Sequence, residues 1–212
     1  MPGKLKAGDT LPLFHYDTPY SRQNDFGALL QAGAPLVLVL MGNFGHPITR
    51  VFAQRYARTY GALKTGSCAL VVRSQAEKLA RGVRQGMLPY ELLCDARGVL
   101  YKHFDIPQRS GVAAYSLEAW QIMHDARRRG YQAQKQALHQ LPLTLVLAAD
   151  GTVLFSHYGT TLTDVPADCA AMQQLLDTLA EGAPAPVKEY AQPEELEKTF
   201  VDGIFSDPYS GD

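Results

Sequence analysis

The sequence has little sulfur chemistry. Among its 212 residues are three cysteines, Cys68, Cys94 and Cys169, and no two are close enough to form a C-x-x-C motif. An odd, sparse count argues against a disulfide framework and against a cysteine zinc site. All three are expected to act as small buried apolar side chains. No stretch approaches the roughly 18–20 apolar residues of a membrane span, so no membrane contact is expected. The opening MPGKLKAGDT lacks the apolar core of an export signal, and a cytoplasmic location is the expectation. Charge of one sign is also lacking: 20 Lys and Arg stand against 21 Asp and Glu, a net −1. That excludes bulk attraction to nucleic acid. There is no phosphate-binding glycine loop and no internal repeat. The six histidines show no ligand spacing, so neither a metal nor a cofactor is expected.

What is present is an apolar fraction of 46%, enough for a substantial core. Charge divides the chain unevenly. Residues 183–212 hold two lysines against seven carboxylates, a net −5 that leaves +4 on residues 1–182. Four prolines fall in the same stretch. The division predicts a folded domain over 1–182 and an acidic appendage over 183–212, with a short helix starting at Pro193.

Residues 35–41, PLVLVLM, form a continuous apolar run, the pattern of a strand buried on both faces. The loop GNFGHP follows. Val51, Phe52, Tyr56 and Leu63 then recur near helical spacing over 47–63, with Pro47 in the first turn. SCALVVRS (67–74) reads as a second buried strand and 75–86 as a helix, with Leu79 and Val83 inward. YELLC (90–94) reads as a third strand before a turn at 95–98. This β-α-β-α-β order favours parallel strands. A helix is predicted over 115–139, then strands at 143–149 and 152–158 joined by a two-residue turn at Asp150-Gly151, then a helix over 166–181. The basic run Arg127-Arg128-Arg129 reads as a solvated helix face. Tyr16, Tyr20, Phe44, Tyr56, Tyr60 and Phe104 read as core and rim packing.

Several segments resemble the alkyl hydroperoxide reductase/thiol-specific antioxidant family, the peroxiredoxins and their redoxin-like relatives. They are Gly8-Asp9 through Leu13-Phe14, PLVLVLMGNFGHPITR, the section from ALVVRS to YKHFDI, and LPLTLVLAADGTVLFSHYG. The resemblance spans about residues 7–180. It implies a thioredoxin-like α/β fold with a mixed central sheet and helices on both faces. It also implies that Pro142 is a cis-proline beside the active-site loop, and that the protein is an antioxidant oxidoreductase.

The family's redox cysteine sits at the N-terminal end of the first long helix, where the helix dipole favours a thiolate. In relatives with a C-P-x-C loop, the two cysteines would fall on His46 and Thr49. Neither residue can form a thiolate, a sulfenic acid or a disulfide. Peroxide reduction by the family's route is therefore expected to be lost. Phe44, Gly45, His46, Pro47, Thr49, Leu141 and Pro142 would then line a vestigial groove holding a peptide, a thiol or a small ligand. His46 is expected to be neutral near pH 7, because a helix N-terminus disfavours imidazolium. Two further readings stay open. One is a thiol peroxidase using Cys94 or a partner's thiol. The other is a structural or regulatory homodimer in which the acidic tail wraps the second subunit.

Overall fold

A computed structural model describes residues 3–132 and 138–182. The expected tail over 183–212, its short helix and any tail exchange lie outside the described residues. The chain opens with a small antiparallel pair, β1 (His15–Tyr16) and β2 (Asn24–Asp25), and helix α1 (Phe26–Gly33). Then come β3 (Leu36–Leu40), α2 (Pro47–Thr59), β4 (Ser67–Val72), α3 (Ala76–Leu79), β5 (Glu91–Cys94) and α4 (Val99–His103). The second half holds β6 (Gln108–Ser110), α5 (Leu117–Arg128), β7 (Leu138–Gln140), β8 (Leu143–Leu147), β9 (Val153–Tyr158) and α6 (Cys169–Ala180).

Five strands form one mixed sheet in the order β5-β4-β3-β8-β9. β3, β4 and β5 run parallel, while β8 lies antiparallel to β3 and to β9. Every residue of β3 is buried, because helices cover both faces and a central strand then has no polar side. Period-two alternation sorts its side chains. Leu36, Leu38 and Leu40 pack with Phe26 and Leu30 of α1, Tyr101 of α4, and Leu143, Leu145 and Leu147. Val37 and Val39 face the other way, towards Ile48, Phe52 and Tyr56 of α2, Ile122 and Met123 of α5, and Met172 and Leu176 of α6. The Arg55–Glu118 ion pair ties α2 to α5 at 2.5 Å, with both side chains largely buried.

Four expectations need correction. The helix predicted over 115–139 ends at Arg128. Gly130 takes φ +96°, and the Gly130 and Tyr131 N–H groups turn back onto the carbonyls of Arg127 and Ala126. That closes the helix with a left-handed glycine cap, and Leu138–Gln140 becomes a strand paired with β6. The helix predicted over 75–86 shrinks to α3, because Gly82 follows closely and Gln75 supplies no side-chain cap. Leu79 and Val83 are nonetheless both buried, as expected. The β8–β9 connection is wider than a two-residue turn. Gly151 N–H donates to Ala148 O, and Ala148 N–H to Thr152 O. The N-terminal segment draws Thr152 and Val153 aside by pairing Thr10 with Thr152, while Val153 N–H donates to Asp9 O and Gly8 N–H donates to Val153 O. Finally, Leu141–Pro142 is trans, and Ala34–Pro35 is the cis bond among the described residues. Leu141 N–H donates to Pro107 O, and Gly159 N–H donates to Pro142 O. These two bonds hold the β7–β8 junction extended.

Candidate functional site

The loop from Met41 to His46 leaves the buried end of β3 and is tied to the end of β4. Met41 N–H donates to Val71 O, Arg73 N–H to Gly42 O, and Phe44 N–H to Ser74 Oγ. Asn43 turns the chain locally. Its Oδ1 accepts from Gly45 N–H at 2.7 Å, and its carbonyl accepts from His46 N–H at 3.0 Å. Tyr101 reaches up from α4, and its hydroxyl donates to the carbonyls of Met41 and Val71. His46 is then the N-cap of α2 with Pro47 at the first position, as the sequence predicts. The His46 side chain makes no capping hydrogen bond. The first-turn N–H groups of Ile48 and Thr49 therefore take no acceptor from the cap.

Above this helix end lies a cavity of about 300 Å³, lined in part by Asn43, His46, Thr49, Arg73, His139 and Gln140. Its apolar wall includes Ile48, Leu138, Pro142 and Leu162. Three of the seven residues expected to form the groove line it: His46, Thr49 and Pro142. Phe44 and Leu141 are buried in the core, Pro47 is buried at the start of α2, and Gly45 lies in the loop outside the lining. Cys94 does not line the cavity. It sits at the end of β5, bridged to Asp17, with burial pushing its thiol up to about 12. Cys68 and Cys169 are buried in the core, and the hydrogen bond between their thiols, with burial, raises the Cys68 thiol as well. No thiol therefore stands at the helix end.

The wall opposite α2 comes from β7, which the sequence reading placed inside a helix. Pairing with β6 sets His139 opposite Arg109 and Gln140 opposite Gln108. The His139 ring lies edge-on to His46, with centroids 6.4 Å apart, and edge-on to Tyr115 at 5.1 Å. Gln140 Oε1 accepts from Arg73 Nη1 at 3.2 Å, while its amide nitrogen donates to the carbonyls of Ile106 and Pro107. Arg73 also lies over the Tyr101 ring at 5.7 Å. Burial lowers His46 to about 4, and proximity to His139 adds to that. Burial lowers His139 in the same direction. His46 is thus neutral at pH 7, as expected, although burial rather than the helix end is the main cause. Among the described residues no three His, Cys, Asp or Glu side chains gather to hold a metal.

Sequence reading missed Arg73, His139 and Gln140. Arg73 follows directly on the apolar run 67–72, so the position after a buried parallel strand was the available signal. His139 and Gln140 had none, because their placement depends on where α5 stops.

Solved structures share this architecture. Peroxidoxin BcpB from Mycobacterium tuberculosis is 18% identical, with 84% of this chain and 97% of that chain covered and a TM-score of 0.56. Thiol peroxidase from Chromobacterium violaceum is 16% identical over 84% and 88% of the two chains, with a TM-score of 0.56. Reduced Prx3 from Vibrio vulnificus is 15% identical over 82% and 99%, with a TM-score of 0.57. No protein-family model matches the chain, and no curated protein sequence does. The fold is thioredoxin-like, of the mixed α/β kind. At 15–18% identity, what the chain shares with these three structures is that fold. No helix among the described residues is long and apolar enough to cross a membrane.

Proposed function

We propose that this chain is a peroxiredoxin-like protein without a thiol peroxidase site, and that it binds a small polar ligand in the cavity at the head of α2. The observation that carries this reading is the lining itself. Imidazole, hydroxyl, guanidinium and amide groups converge there beside apolar side chains, and no thiol is among them. Such a concavity with a few convergent polar groups is the usual form of a small-molecule site. A cavity of about 300 Å³ suits a small molecule better than a peptide. β7, beside Pro142, is already paired with β6, which speaks against strand addition by a peptide along that edge.

The test is hydrogen peroxide consumption with a thioredoxin or glutathione reducing system. The expected result is no turnover above the protein-free rate. Turnover abolished by Cys94→Ser would overturn the proposal in favour of a relocated peroxidase.

A further inference from the structure

The cavity carries a charge imbalance. Arg73 is half-buried in its wall and makes no ion pair among the described residues. Among the described residues no carboxylate lines the cavity. The carboxylates nearest in the chain are engaged elsewhere: Glu77 pairs with Arg22 at 2.7 Å, and Asp95, next to the cavity-lining Ala96, accepts from the N–H groups of Val99 and Leu100 at 2.9 and 2.8 Å, starting α4. A guanidinium in a cavity wall without a counter-ion is a ready partner for an entering anion, through charge-assisted hydrogen bonds.

A second, independent observation points to a ligand. Thr49 lines the cavity but is only 2% exposed, and its hydroxyl makes no hydrogen bond among the described residues. Its oxygen is not among the fully buried unpartnered atoms and so opens on the cavity, where the hydroxyl can donate to a ligand acceptor. Thr49 also lies in the uncapped first turn of a 13-residue helix, whose N–H groups and dipole favour negative charge. Gln140 holds one edge of the guanidinium fork at 3.2 Å, which fixes the orientation of the rest. The lining also has an apolar part, at Leu138, Pro142 and Leu162. A bare inorganic oxyanion would leave that wall wet.

We propose that the cavity takes a small organic monocarboxylate, held at its charged end by Arg73, Thr49 and the first turn of α2, with its apolar end against Leu138, Pro142 and Leu162. This rests on the reading of the cavity as a ligand site. A planar carboxylate matches the Arg fork better than a neutral amide does, through charge-assisted hydrogen bonds.

The experiment titrates the full chain with butyrate, its neutral isostere butyramide, and inorganic phosphate. It follows the His46 and His139 ring resonances by NMR, since both rings face the cavity. Butyrate is expected to shift both rings and to bind at least about tenfold more tightly than butyramide, a difference of about 1.4 kcal/mol. Phosphate is expected to bind more weakly than butyrate. Arg73→Gln should weaken butyrate about tenfold or more, Arg73→Lys by less, and Thr49→Val by a few-fold with the fold unchanged. Equal binding of butyrate and butyramide overturns the carboxylate assignment and leaves the ligand site standing. Phosphate binding more tightly than butyrate overturns the organic class. If none of the three probes moves either ring, both the carboxylate and the ligand-site reading fail.

Discussion

Acidification should cost this protein stability through His46, and the size of the effect follows from the site. In an unfolded chain the imidazole protonates near 6.5, whereas in the fold it resists protonation until about 4. Burial withholds the water that would solvate the cation, and His139 lies edge-on nearby. The folded state thus binds fewer protons than the unfolded state between these two values. Stability is therefore full above 6.5, falls as pH drops from 6.5 to 4, and levels off below. At about pH 5 the loss through this one group comes to about 2 kcal/mol, towards a limit of about 3 kcal/mol. Residual solvent access at the loop makes these upper figures. The assay is urea unfolding of the wild type and of His46→Asn at about pH 7 and about pH 5. Asp17 and Asp150, whose carboxyls are held low by hydrogen bonds to backbone N–H groups, titrate alike in both proteins. The difference between the two pH dependences isolates His46. The wild type should lose up to about 2 kcal/mol more than the variant. Equal losses would refute the argument, because the imidazole would then be as easily charged in the fold as outside it. A bound carboxylate should reduce the wild-type loss, since a nearby anion stabilises the imidazolium.

Other consequences can be checked separately. Cys94 should be inert in the native protein. Raising its thiol from 9.0 to about 12 lowers its thiolate population near neutral pH about a thousandfold, so a thiol reagent should label it rapidly only in urea. Rapid native labelling would revive the relocated peroxidase. Tyr101→Phe removes the hydroxyl that ties the Met41 and Val71 carbonyls together, and should cost about 1–2 kcal/mol in urea unfolding. Glu118→Gln leaves the Arg55 guanidinium largely buried between α2 and α5 without its counter-ion. It should destabilise the protein by about 2 kcal/mol or more, and a wild-type midpoint would show that water reaches the pair.

How legible the site was depended on the range of the interactions that made it. His46 at the head of α2 is written in nearby residues. PLVLVLM must be a buried strand, Pro47 suits a first helical turn, and the glycines and Asn43 between them make the loop. Those are local rules of backbone and burial, so the sequence alone determined the strand-loop-helix unit, the parallel β3-β4-β5 order and the missing thiol at the helix end. The opposing wall is a different matter. His139 and Gln140 face the site because Gly130 stops α5 and because β7 finds β6 some 30 residues earlier in the chain. No periodicity within 115–139 announces that pairing. Likewise the backbone partners on either side of the trans Leu141–Pro142 bond, Pro107 and Gly159, are distant in sequence. Tertiary structure alone decided that Arg73 stands in the cavity with no carboxylate among the described residues, that the Thr49 hydroxyl opens on it, and that His46 is held neutral mainly by burial. Desolvation and pairing depend on what the rest of the chain brings to the same few ångströms, and one-dimensional spacing does not carry that.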